Sequence, residues 1–368
     1  MHLKEIQVIN FKSWSEAQFE FSPKLNCFVG LNGGGKTNLL DAIHYLCLSK
    51  SYFGNRDNRN IKQGTDFFMV EGEFERKGEN EKLSCALKKG AKKVLKRNKK
   101  EYEKLADHIG LFPAVVISPY DRDLIIDSSE TRRRFIDNVI SQGNSEYLFH
   151  IMRYNKALQQ RNSLLKFFAA NHKFDAEALD LYDQQLIEHG TYVSQKRAEF
   201  CEQLRPRIEF YYQFISSDAE QASIDYKSQF LEQEASEGLK ANLERDRLLQ
   251  YSNWGVHRDD LKFKLDGKSV RDYGSQGQQK SYLIALKLAQ YEFIRDKQGL
   301  VPILLLDDIF DKLDEERVAK LVKLVHDEEF GQIFITDTHI DRTGDLVKQI
   351  DPDARIINVN EFNGSESV

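Results

Sequence analysis

A glycine-rich cradle and the acid it needs lie at opposite ends of this chain. Residues Gly30 to Asn38 read "GLNGGGKTN", and no convincing metal-binding carboxylate follows within about a hundred residues. The candidate acid comes at "ILLLDDIFDKLD", Ile303 to Asp314. If the two stretches share one site, the chain must begin a fold, leave it to build something else, and return to finish it.

The cradle sits in a credible context. Leu3, Ile6, Val8 and Phe11, then Phe19, Phe21, Leu25, Phe28 and Val29, predict two or three strands, the last running into Gly30. After Thr37, Leu39, Leu40, Ile43 and Leu46 recur at helical spacing. Gly30-x-x-x-x-Gly35-Lys36-Thr37 matches the P-loop pattern in full. Such a loop, here Gly30, Leu31, Asn32, Gly33, Gly34 and Gly35, turns backbone N–H groups onto a phosphate, and the helix N-terminus adds its positive end. Lys36 is then expected to bridge the β- and γ-phosphates of ATP and the Thr37 hydroxyl to ligate Mg²⁺, with Asn38 the last residue of the expected binding segment.

In the acidic stretch, four apolar residues predict a buried parallel strand. Asp307 at its end is placed to hold Mg²⁺ through water or Thr37, and Asp308 to orient an attacking water. Taken alone, a core strand with an acidic solvent end reads the same way. A third element tips the balance: "GSQGQQKS", Gly274 to Ser281, precedes a helix leading back to that strand. It resembles the signature motif of ABC-type ATPases, in which a Ser hydroxyl and a helix N-terminus cap the γ-phosphate of a nucleotide held by the other subunit. Gly274, Ser275, Gln276, Gly277 and Gln278 are the candidates for that role in trans; a plain capped helix start is the competing reading.

The expected fold is therefore α/β, an ABC/SMC-type P-loop ATPase head split by a helical arm. The N-terminal lobe is placed at 1–128 and includes a β-meander from Phe67 to Leu95. The arm is placed at 129–251, where apolar residues recur at three- and four-residue intervals, and the C-terminal lobe at 252–368. The tail after Phe362 is expected to be disordered.

Composition narrows the function classes. The 368 residues suit one large domain or two ordinary ones, with 40% hydrophobic and 30% charged residues. No run approaches the roughly 18 apolar residues of a membrane helix, and the first residues lack the pattern of a secretory signal. Cys27, Cys47, Cys85 and Cys201 are scattered, so neither zinc nor disulfides are expected and a reducing cytoplasm is the expected location. A net charge of −5 argues against a uniformly basic nucleic-acid binder while allowing local patches.

A split head of this kind is similar to the SMC class of chromosome and repair ATPases. True SMC arms are long coiled coils with sustained heptads, whereas this insertion has about 120 residues and no lasting heptad stripe. Length and local sequence together resemble the RecF family of bacterial DNA replication and repair proteins. The resemblance runs through "NGGGKTNLLDAIHYL", with Asp41 where Glu is usual, and "VVISPYDRDLIIDSSETRRRFID", with Tyr120 in place of Glu. It continues in "YNKALQQRNSLLK" and in "GVHRDDL", with Val256 in place of Pro. What it implies is an ATP-dependent homodimer that grips duplex and gapped DNA, acts with the RecO and RecR proteins to help load the recombinase, and serves replication, repair and the SOS response. Slow hydrolysis then works as a timer. An SMC-like chromosome-organising head is the alternative. A transporter subunit and a nuclease carrying a metal domain fit worse, because neither a membrane segment nor a metal-ligand cluster after His339 is visible.

Several residues keep open roles. Lys12 in "NFKSW" stands where related heads place a basic residue near the phosphates, or is a solvated lysine. The run "KKGAKKVLKRNKKEYEK" has nine basic residues between Lys88 and Lys104, and Lys92, Lys93, Lys96 and Arg97 are its candidates for DNA phosphates against a merely solvated face. Arg132, Arg133 and Arg134 have three readings: DNA, nucleotide, or helix capping. Asp314 is a candidate switch or dimer contact, and His339 competes with Asp337 for the position that senses the γ-phosphate. The chemistry of His257 and Arg258 stays open.

Overall fold

The computed structural model describes residues 1–54, 56–216, 220–308, 330–338, 347–349 and 351–361. β1 (His2–Phe11) and β2 (Trp14–Glu20) pair antiparallel, Val8 opposite Ala17. β3 (Leu25–Val29) leaves them and ends at the glycine loop, from which α1 (Lys36–Leu48) starts. β4 (Phe67–Arg76) returns to pair with β1, and β5 (Glu79–Lys88), β6 (Val94–Arg97) and β7 (Lys100–Glu101) complete a sheet of order β2-β1-β4-β5-β6-β7. β8 (Ala114–Ile117) belongs to a second sheet.

The chain then runs through α2 (Asp123–Ile126), α3 (Ser129–Gly143), α4 (Ser145–Asn171) and α5 (Ala176–Ser216). β9 (Ala222–Lys227), α6 (Gln229–Glu232) and α7 (Ala235–Leu249) follow, then β10 (Asp260–Leu265), β11 (Lys268–Ser269), α8 (Val270–Tyr273) and α9 (Gln276–Gln298). β12 (Ile303–Leu306), β13 (Ile333–Asp337) and β14 (Arg355–Asn358) finish a five-stranded parallel sheet of order β14-β3-β13-β12-β8. Its strands β3, β8, β12 and β13 are buried at every position, as parallel strands covered on both faces must be.

One apolar cluster joins the two large sheets through α1. Leu39, Leu40, Ile43 and Leu46 meet Leu3, Ile6, Val8 and Phe68 of one sheet and Phe28, Leu305 and Phe334 of the other. Gln332 stitches the sheets together: its Oε1 accepts from Leu3 N–H at 2.7 Å and its Nε2 donates to Leu3 O at 2.8 Å.

The chain divides into two compact units, 1–121 with 290–368, and 122–289. The second unit is larger than the expected arm and takes in Gly274 to Gln278. The reason is β9, a strand inside the stretch that reads as purely helical. It pairs with β10 (Ile224 opposite Phe263), so the segment expected to open the C-terminal lobe is tied to the arm. α9 also begins at Gln276, earlier than the apolar periodicity from Tyr282 suggests.

Within the second unit, "GVHRDDL" ties several arm elements together. Arg197 of α5 is 1% exposed and donates to Asp259 Oδ2, to Val256 O and to Asp137 of α3. Tyr226 of β9 also donates to Asp259. Arg132 of α3 grips Asp260 with Nε at 2.7 Å and Nη2 at 3.3 Å. His257 Nε2 lies 2.9 Å from Ser252 O, an acceptor only, so Nε2 carries the proton and Nδ1 accepts from Tyr154 OH at 2.8 Å. Burial pushes His257 down to about 4, opposed by the Ser252 carbonyl.

This predicts an acid-sensitive arm. An unfolded histidine titrates near 6.5, so between that value and about 4 the unfolded chain binds a proton that folded His257 refuses, and stability is lost as pH falls. By pH 5 the loss from this group amounts to about 2 kcal/mol. The melting temperature should therefore fall from pH 7.5 to 5, and His257→Gln should flatten that dependence.

Candidate functional site

The loop after β3 is shaped for close approach to an anion. Gly30, Gly33 and Gly35 hold φ of 149°, 84° and 91°, conformations a side chain resists. A Cβ on Gly35 would also meet the Trp14 indole at 2.9 Å, and Trp14 Nε1 donates to Gly35 O at 3.2 Å. Lys36 Nζ reaches back over the loop to Gly30 O at 2.7 Å and Leu31 O at 2.9 Å, which places its charge at the cradle's mouth.

The distant acid closes onto this loop. Thr37 Oγ1 donates to Asp307 Oδ1 at 2.8 Å, across 270 positions of sequence. Thr336 Oγ1 donates to the same oxygen at 3.0 Å, and Ser118 Oγ to Oδ2 at 3.4 Å. Asp307 is 3% exposed; burial pushes its carboxyl above the ordinary range, and these three hydroxyls together with Lys36 pull it back. Asp308, next along, holds φ at 50° and donates its N–H to Thr336 Oγ1 at 2.9 Å. Asp337 ends β13, in register with Val29 of β3. Asp314 and His339 lie outside the described residues.

The residue set suits a phosphate chain with a small hard cation, because a glycine loop that opens a helix and a lysine stand beside the hard oxygens of Thr37 and Asp307. Gly34 fits the same purpose, since a Cβ there would meet Leu31 O and Asn360 Oδ1 at 3.0 Å. Periodicity in the sequence does not single out Thr336 or Ser118. Their only signal is position, a hydroxyl at or next to the end of an apolar strand.

The other candidates sort by partner. Lys12 Nζ pairs with Asp41 at 2.5 Å, and Asp41 is fully buried, accepting also from Ser51 Oγ and Tyr52 N–H. Asn38 Nδ2 donates to Ser13 Oγ at 2.8 Å. Ser275 and Gln278 form a capping box at the start of α9: Gln278 N–H donates to Ser275 Oγ at 3.2 Å, and Ser275 N–H to Gln278 Oε1 at 2.7 Å. Gly274 has no room for a Cβ, which would lie 2.6 Å from Val270 O.

The basic run does not present equivalent cations. Lys93 is held by Asp57 Oδ2 at 2.7 Å and by Ser49 O, and Arg97 is clamped on the nearly buried Glu81. Lys92 and Lys96 are exposed. Of the three arginines, Arg132 is structural. Arg133 donates to Ser129 Oγ and Asp259 O at 2.7 Å each, and exposed Arg134 pairs with Glu130 one turn away.

Residues 2–350 match the family described as the RecF/RecN/SMC N terminal domain. The DNA replication and repair protein RecF of Flavobacterium johnsoniae is 50% identical over 359 residues, covering 98% of this chain and all of that protein. The structure of the recombination mediator protein RecF with ATP superposes with a TM-score of 0.88 at 29% identity, over 98% of this chain and 96% of that one. An Smc head bound to the C-winged helix domain of ScpA shares the fold, with a TM-score of 0.55 at 14% identity over 95% of this chain and 92% of that one.

The split within the basic run yields a test. Lys93→Ala or Arg97→Ala removes a charged partner from a carboxylate that keeps one other donor, Tyr45 on Asp57 and Arg76 on Glu81, and should cost about 1 kcal/mol, read as a lower melting temperature. Lys92→Ala and Lys96→Ala should leave melting unchanged. Each that meets a duplex phosphate should shrink the slope of log affinity against log salt by about 0.9.

Proposed function

The chain belongs to the RecF family of DNA replication and repair proteins, and on that premise we propose that it is an ATP-driven DNA clamp of gap repair. The observation that carries this reading is the Thr37–Asp307 hydrogen bond, which unites the cradle and the acid in one site. In the proposal, Gly30 to Asn38 hold the phosphates of ATP, and Thr37 and Asp307 hold Mg²⁺. When bound, the ion neutralises charge on the phosphoryl oxygens. Lys36 carries the point charge for the β- and γ-phosphates, and Asp308 orients the attacking water.

Gly274 to Gln278 are assigned to the nucleotide of a second copy, so that ATP draws two heads together and hydrolysis releases them. Lys92 and Lys96 remain the candidates in the basic run for the DNA backbone. RecO, RecR and the recombinase are the partners this reading supplies. A chromosome-organising role loses ground to it, because the near-full-length likeness is to RecF proteins while the Smc head is similar in fold alone.

Two measurements test the proposal. Lys36→Ala should lose ATP binding. Asp308→Asn should keep ATP binding and the ATP-dependent dimer while turnover falls by at least about 100-fold, read by gel filtration and phosphate release. Wild-type DNA affinity that is the same with ATP, with ADP and without nucleotide would remove the clamp reading.

The trans assignment has its own check. Ser275→Arg should bind ATP yet fail to dimerise, whereas mixing it with Lys36→Ala leaves one intact composite site and should restore some association. ATP-driven dimers of Ser275→Arg alone would contradict it.

A further inference from the structure

The hydroxyl of Thr336 links the two acids of the β12 strand end. It donates to Asp307 Oδ1 at 3.0 Å and accepts from Asp308 N–H at 2.9 Å. Thr336 is 1% exposed and lies on β13, between the strand that carries the cradle and the strand that carries the acids. Asp308 has a φ of 50°, a conformation uncommon outside glycine, which a bond to its N–H helps to hold.

We propose that Thr336 is a positioning residue for ATP hydrolysis: one side chain fixes the Asp307 carboxylate beside Thr37 and sets the direction in which Asp308 leaves its strand. The inference rests on the ATPase reading above and extends it to a residue outside the cradle, the acidic strand and the signature. Removing the hydroxyl should not affect both acids equally. Asp307 keeps Thr37 and Ser118, whereas Asp308 loses the acceptor of its N–H. Hydrolysis should therefore suffer more than nucleotide binding.

The test compares wild type, Thr336→Val and Thr336→Ser. Turnover is measured together with the affinity for a fluorescent ATP analogue with and without Mg²⁺, and with thermal melting of the free protein. Thr336→Val should lose about 10–100-fold in kcat and show a smaller gain in affinity on adding Mg²⁺, with metal-free affinity unchanged. Thr336→Ser, which keeps the hydroxyl and loses only the methyl, should recover both. A valine variant with wild-type kcat and a wild-type response to Mg²⁺ overturns the proposal. So does a serine variant as impaired as valine, because packing of the methyl would then be the cause. A wild-type protein that neither binds nor hydrolyses ATP removes the ATPase reading itself, and this inference with it.

Discussion

A single hydrogen bond, Thr37 Oγ1 to Asp307 Oδ1, makes sense of a chain order that otherwise looks arbitrary. An isolated buried carboxylate is costly unless donors meet it. Here they come from three separate places: Thr37 at the start of α1, Ser118 just after β8, and Thr336 in β13. None is near Asp307 in sequence, so only a parallel sheet of this strand order brings them together. The site sits at the carboxyl ends of those strands, where open α/β sheets bind ligands.

The same requirement shapes the second unit. Its core holds Arg197 and Arg161, both almost wholly enclosed, and each must find carboxylates without help from water. Arg161 takes Asp246 at 2.6 Å and Asp183 at 2.5 Å, and Arg197 takes Asp137 and Asp259. Buried ion pairs add little net stability, yet losing one partner is costly. Adjacent Asp259 and Asp260 go to different arginines on different helices, and a slip of one residue would set Leu261 against Arg132 or Arg258 against Arg197. The motif therefore fixes register, which explains why it reads as charged although much of it is enclosed.

Much of the head was legible in the sequence, because its signals are local. Alternation marks β1, β2 and β4, and the glycine spacing marks the cradle. Four consecutive apolar residues mark β12. What escaped depends on partners far along the chain. β9 is short, lies among helices, and is a strand only because β10 offers it an edge. Lys93 and Arg97 look like surface cations in a basic run until Asp57 and Glu81 are seen to hold them. Asp41, where the family pattern has Glu, turns out to anchor Lys12. Composition describes a side chain's capacity, whereas burial and partners decide its use.

At Gly274 to Gln278 a plain structural role and the proposed functional one can coincide. Ser275 caps α9, the bland reading of "GSQG", because its oxygen accepts from Gln278 N–H. A hydroxyl has a donor and two acceptor lone pairs, so capping leaves capacity for a further partner. The cap also stands at the positive end of a 23-residue helix, and Ser275 and Gln276 are exposed there. Gly274 keeps the approach narrow, since any side chain would strike Val270 O. The residues that make a good helix start are thus the ones that make a good anion contact, and sequence alone could not separate the two readings because the chemistry does not require them to be separate.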